Sequence, residues 1–308
     1  MGGAYREGLG MKEASGVVFD AIGGFLIDDG WPIASHIALS MLTSMFPFFI
    51  FVTALASFLG ASELSSEATR LIFEAWPQSV AGPIAGEVQN VLTQPRGGLL
   101  TIGAVLALYF SSSAIEALRS GLNRAYDALD HRPWWKLRLQ SILFMMVASF
   151  GLLALAFFVV LGPLIWAQVL RFAPKLEPLQ QLVTVIRLGV AAVVLCVTLF
   201  VAHIWLPAVK LRIIDVAPGV ALTFVGSLGF GEAFGFYLNE FARNYVTTYA
   251  GLATVMITLV FLYSVAAIFV FGGELNAAIL RAGRREKVRV RRAGRVRGAG
   301  AKHLERRG

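Results

Sequence analysis

The sequence predicts an all-α, polytopic membrane protein with six transmembrane helices, and three observations carry that prediction. Of 308 residues, 57% are hydrophobic and only 15% are charged, against about 25% charged in an ordinary soluble domain. The apolar residues gather in long runs separated by short polar segments, as in chains that thread a bilayer repeatedly. The period-two alternation of barrel strands is missing, so each span must satisfy its backbone polar groups within a helix. The single cysteine, Cys196, excludes a disulfide framework and any cysteine-based metal site.

The N-terminal MGGAYREGLGMKEASG lacks the basic-then-apolar pattern of a cleaved signal peptide, so the first membrane helix is expected to serve as its own insertion signal. Residues 1–32 are read as a cytoplasmic N-terminus. Within VVFDAIGGFLIDD (17–29), Val17, Val18, Ala21, Ile22, Phe25 and Leu26 share one helical face. That face suits either the inner membrane surface or packing on the bundle.

Residues 33–280 form the transmembrane domain. A hydrocarbon core of roughly 30 Å takes about 20 helical residues. Six runs reach that length: Ile33–Leu59, Gly97–Leu118, Leu139–Trp166, Leu182–Trp205, Ile213–Phe236 and Thr248–Phe271. Between the first two, Leu64, Ala68, Leu71, Ile72 and Ala75 recur at helical spacing before Pro77, and Ile84, Val88, Val91 and Leu92 follow it. Residues 62–95 are therefore read as an outer helical hairpin. Residues 281–308 form a basic, disordered tail with a net charge of +10, whereas the whole chain nets +8. The basic character belongs to the tail alone.

Orientation follows from lysine and arginine. With the N-terminus inside, 21 of the 27 basic residues fall in inner segments. Trp31, Trp134, Trp135, Trp166 and Trp205 fall at predicted helix ends, where an amphipathic ring prefers the interface. Both termini are expected in the cytoplasm. Arg284, Arg285, Lys287, Arg289, Arg291 and Arg292 then face anionic lipid headgroups. Nucleic acid is disfavoured, because the tail has no aromatic residues among its basic ones on which bases could stack.

Ionisable and polar residues within spans face the bundle interior or water, which makes them candidate functional groups. Ser112, Glu116, Arg119 and Asn123 form a stripe on the second helix. Glu116 and Arg119 are a local ion pair or part of a polar cavity wall. His36, Ser40, Thr43, Ser44 and Pro47 share a stripe on the first helix, with Pro47 expected to kink it. Arg187 and Glu232 lie at matching outer depth and could pair. In FGGELNAA (271–278), Glu274 and Asn276 stand where the sixth helix leaves the membrane. Glu274 is expected to meet Arg119 or Asn123 there, or to be a simple interfacial carboxylate.

Three segments carry a family resemblance. ASHIALSMLTSMFPFFIFVTALASFLG (34–60), SSSAIEALRSGLNRAYD (111–127) and NYVTTYAGLATVMITLVFLYSVAAIFVFGGELNAAI (244–279) resemble, in order and spacing, motifs of the YihY/BrkB family. Asn123 and Tyr126 stand in the expected places. Ala250 departs from the pattern, standing where glycine often follows the tyrosine. The resemblance implies a bacterial inner-membrane protein linked to envelope integrity and to movement of lipid-like molecules. It also brings an older ribonuclease label. Against that label, His36, His131, His203 and His303 are scattered, with no carboxylate cluster at metal-ligand spacing. No enzyme activity and no cofactor are expected.

Two functions remain. The first is a transporter or flippase of an amphiphilic envelope molecule, moved through a polar cavity in the bundle. The second is a non-transporting scaffold for envelope integrity. Six helices are few for a transporter, and a homo-oligomer would enlarge the set. Deleting 284–308 should weaken binding to anionic liposomes by roughly 1 kcal/mol for each basic residue held near the surface. A liposome flotation assay would check this, with the transmembrane helices still folded.

Overall fold

The computed structural model describes residues 11–58, 97–155, 162–241 and 255–285, with helices, turns and short connections and no strand among them. The expected outer hairpin (62–95), the first ten residues and the tail beyond Arg285 lie outside the described residues.

Helix α1 (Met11–Ile27) ends at a turn where Asp29 has φ 60°, a left-handed conformation that a short polar side chain tolerates. The chain reverses into α2 (Gly30–Phe58), which contains Pro47. Gly30 is required at this turn, because a methyl there would stand 2.5 Å from the Phe25 ring.

The second expected span is bent where a single rod was predicted. It divides into α3 (Gly97–Ser111) and α4 (Ser113–Ala125). Ser111 Oγ donates to the Leu108 carbonyl at 3.0 Å and Ser112 Oγ to the Tyr109 carbonyl at 2.7 Å. Such back-bonding competes with the helical ladder and bends it. Helix α4 carries Arg119 and Asn123 beyond the apolar run, as the expected stripe requires, and stops before Asp127, whose φ is 50°.

Helix α5 (Trp134–Leu155) starts before the expected Leu139, so Trp134 and Trp135 belong to its first turn. Helix α6 (Gly162–Phe172) and a 3-10 turn (Pro174–Leu179) lead into α7 (Gln180–Trp205). Helix α8 (Ile213–Phe241) opens with Asp215, whose carboxylate accepts the Arg212 backbone N–H at 3.1 Å, the return half of a capping box. Helix α9 (Val255–Arg285) carries FGGELNAA in its interior, beyond the expected span end at Phe271, and runs into the first residues of the expected tail. Among the described residues, four helical stretches, namely α5, Lys175–Trp205, Ile213–Leu238 and α9, are long and apolar enough to cross a membrane.

One apolar core joins six helices at the end of the bundle that carries Glu274. Phe25 of α1, Ile37 of α2, Leu122 of α4, Phe144 of α5 and Phe269 of α9 meet there, with Leu206 at the exit of α7. The α1 face splits between the two expected roles. Val17, Ala21 and Phe25 are buried, the first two in a cluster with Ala278. Val18, Ile22 and Leu26 are exposed.

Helices α8 and α9 cross at glycines. A methyl on Gly219 would overlap the Gly272 carbonyl, and one on Gly272 would overlap Thr223 Oγ1. Small residues at such crossings let two backbones approach closely. Gly219→Ala should therefore cost roughly 1–3 kcal/mol through overpacking and lower the melting temperature in detergent. Gly229→Ala, with nothing within 4 Å, should leave it unchanged or raise it slightly, because alanine is the better helix former.

Candidate functional site

Glu274 is 1% exposed. Helix α1 covers it, and a methyl at Gly24 would lie 2.5 Å from Glu274 Oε2. Arg281, two turns further along α9, donates from Nη2 to the same oxygen at 3.5 Å. Asp28 lies near enough to repel the charge. The expected meeting of Glu274 with Arg119 or Asn123 does not occur, because α1 and the Arg281 side chain occupy that side of the carboxylate.

Asn276 is fully buried one turn beyond Gly272. Its Oδ1 accepts the Gly219 backbone N–H at 2.7 Å, and Thr223 Oγ1 donates to the Gly219 carbonyl at 2.8 Å. Pro218 precedes Gly219 within α8, and a proline inside a helix removes its own donor and crowds the carbonyl four residues back. Asn276 Nδ2 and Tyr126 Oη face one another in the same seam, and neither completes a hydrogen bond.

A second cluster joins α4 to α5. Arg119 is buried, and its Nη1 donates to the Leu137 carbonyl and to Ser141 Oγ, both at 3.0 Å. Glu116 does not pair locally with Arg119. It meets Arg138 of α5 at 2.8 Å. Arg138 also donates to the Tyr109 carbonyl at 2.6 Å and lies 3.7 Å over the Tyr109 ring, a cation–π contact. Helical neighbours three residues apart can pair, but the facing helix offers both groups better partners.

Asn123 braces two connections. Its Oδ1 accepts the Ala208 N–H at 2.7 Å and its Nδ2 donates to Asp130 at 3.3 Å. Arg132 donates to both Asp130 oxygens, at 2.8 and 2.6 Å, and to the Leu206 carbonyl at 3.1 Å. The Arg132 guanidinium holds the Asp130 carboxyl down at about 2.

Residues 21–295 match the family described as virulence factor BrkB. The chain belongs to the BrkB family. It is 27% identical over 255 residues to the putative ribonuclease-like protein YfkH of Bacillus subtilis (strain 168), covering 83% of this chain and 92% of that protein. It is 26% identical over 277 residues to the UPF0761 membrane protein RC1_0578 of Rhodospirillum centenum (strain ATCC 51521 / SW), covering 87% of this chain and 58% of that protein. No solved structure matches.

Elsewhere in this BrkB family member, the expected first-helix stripe does not form one wall. His36 and Thr43 are exposed, Ser40 and Pro47 are half-buried, and Ser44 is buried. Ser112 is buried at the α3–α4 bend. Arg187 and Glu232 form no ion pair. Glu232 is exposed, and Arg187 Nε is buried with no hydrogen-bond partner among the described residues. Equal depth fixes only one of the coordinates that two side chains must share. Arg284 is exposed and Arg285 pairs with Asp20 of α1 at 3.0 Å. Lys287, Arg289, Arg291 and Arg292 lie outside the described residues. No three His, Cys, Asp or Glu side chains stand together as a metal site among the described residues.

Sequence reasoning missed Gly24, Thr223, Arg281, Arg138, Arg132 and His203. His203 is fully buried, bonded through Nδ1 to the Leu199 carbonyl at 3.0 Å and set 4.6 Å from the Phe269 ring. Only Arg281 carried a signal, since it stands seven residues from Glu274 on one helical face.

Glu116→Gln and Arg138→Gln should be non-additive by about 0.5–3 kcal/mol in a double-mutant cycle, read by chemical denaturation. Arg119→Ala with Glu274→Ala should add within about 0.5 kcal/mol, since the two groups do not touch. Asp130 also implies a pH dependence. Its folded value is depressed below the ordinary 3.8, so the brace stabilises fully above that pH and is lost as pH falls toward about 2. Melting curves across this window should show an acid step that Asp130→Asn removes.

Proposed function

We propose that this protein is a transporter or flippase for an amphiphilic, lipid-like molecule of the bacterial envelope. The supporting observation is the α8–α9 seam. Pro218 lies inside α8, Gly219 and Gly272 bring two backbones together, and Asn276 Oδ1 accepts the Gly219 N–H. Asn276 Nδ2 and Tyr126 Oη retain unused hydrogen-bonding capacity there. Proline and glycine inside membrane helices are tolerated where neighbouring groups satisfy the backbone, and such positions give a helix room to rearrange. Buried groups without partners call for an explanation, and a seam that opens or takes a ligand supplies one.

The reading places six spans in the bacterial inner membrane with both termini in the cytoplasm. Glu274, α1 and the α4–α5 connection then form the closed cytoplasmic end. The apolar core beneath them acts as an inner gate, and a glycine crossing without large interlocking side chains lets α8 move against α9. Energy would come from an ion gradient or a partner, and a second copy would complete a larger helix set. We read the chain as a non-enzyme. The ribonuclease-like wording of the Bacillus relative's name finds no matching cluster of metal-binding side chains among the described residues.

A scaffold is the second reading. It is favoured by the apolar core that fills the Glu274 end of the bundle and by the charged contacts that join α4 to α5. Proteoliposomes containing a headgroup-labelled phospholipid separate the two. With a membrane-impermeant quencher outside, the protein should expose inner-leaflet label, and Asn276→Ala should slow that exchange about tenfold with helix content retained. Exchange no faster than in empty vesicles would overturn transport and leave the scaffold.

A further inference from the structure

A cavity of about 550 Å³ lies between the α4–α5 and α7–α8 connections, within the ordinary size range of small-molecule sites. Its lining includes His131, Arg132, Pro133 and Lys136 from one connection, and Pro207 and Lys210 from the other. We infer that this cavity binds a phosphate-type anion, supplied by the headgroup of an anionic phospholipid in the adjacent leaflet. The inference is independent of whether the chain transports anything.

The walls are braced. Arg132 ties Asp130 to the Leu206 carbonyl and also donates to Gln140 at 3.0 Å. Gln140 in turn donates to the Trp205 carbonyl, and Asn123 holds the Ala208 N–H. Both connections are thus pinned to each other before any ligand arrives, which lowers the ordering cost of binding.

The charges do not balance. Lys136, Lys210 and Arg132 line the cavity with one carboxylate, Asp130, and Arg132 occupies both of its oxygens. Neither lysine has an ion-pair partner among the described residues. Lys136 lies 5.3 Å from the Trp135 ring centroid, a contact that places the ammonium without neutralising it. Two uncompensated cations across one concavity leave a site for an anion.

The surroundings favour a lipid as its source. Trp134 is 77% exposed, Trp135 52% and Trp205 59%. All three sit at helix ends beside the cavity, and tryptophan marks headgroup depth. Leu129, 82% exposed, supplies an apolar lip. A phosphate held by the lysines would leave its acyl chains beside the apolar faces of α5 and α7. Basic pockets at membrane faces take acidic headgroups by the same arrangement.

The full-length protein in mild detergent is loaded with phosphatidylglycerol or phosphatidylcholine, and retained lipid is read by native mass spectrometry, with inorganic phosphate as competitor. Phosphatidylglycerol should be retained preferentially. Lys136→Ala with Lys210→Ala should weaken retention about 25-fold, at about fivefold for each lysine near an anionic group. Lys136→Arg with Lys210→Arg should preserve retention, as should removal of residues 286–308. Equal retention by the alanine pair and the wild type would overturn the site. If inorganic phosphate displaces the lipid and binds only the wild type, the anion chemistry stands and the lipid source is overturned.

Discussion

A carboxylate taken out of water costs several kcal/mol unless neighbouring groups compensate it, and Glu274 imposes that requirement on the whole end of the bundle. Arg281 answers it at 3.5 Å from a half-exposed position, a partial compensation. Helix α1 imposes the burial, lying directly over the carboxylate because Gly24 has no side chain to hold it away. Helix α9 must therefore continue through its two glycines to present Arg281. The Asp29 turn must then reverse the chain so that α2 begins beside the covered site. The exposed pair of Arg285 and Asp20 ties α1 to the end of α9, adding no more than about 1 kcal/mol.

The bundle is closed by two kinds of contact. Between α4 and α5 charged side chains make the contact: Arg119 bonds to Leu137 and Ser141, and Glu116 meets Arg138, which also stacks on Tyr109. Directional bonds of this kind fix one relative position. Between α8 and α9 the contact is made by backbone and small side chains, with polar capacity left over at Asn276 and Tyr126.

The spans were legible because lipid leaves the backbone no alternative to helix. Ile213 and Trp205 end their helices where the hydropathy changes, as expected. The bend at Ser112 was not legible, since back-bonding by two serines leaves the apolar pattern intact. The extension of α9 to Arg285 was missed for a related reason. Gly272 and Gly273 look like a helix stop in one dimension, and become packing residues once Thr223 and Leu122 stand against them. Glu274 and Asn276 were correctly singled out as unusual. The partner expected for Glu274 was wrong, because equal depth in a bilayer leaves azimuth undetermined.

The sequence by itself determined which segments are helical, which family the chain belongs to and which polar residues are too costly to be incidental. Those are consequences of composition and periodicity, which every residue carries locally. Tertiary structure alone decided that Glu274 is covered by α1, that Arg119 serves α5, and that Lys136 and Lys210 face one cavity. These pairings depend on the rotation of each helix about its axis. That rotation is set by the shapes of facing surfaces, and one strand of letters does not contain the facing surface.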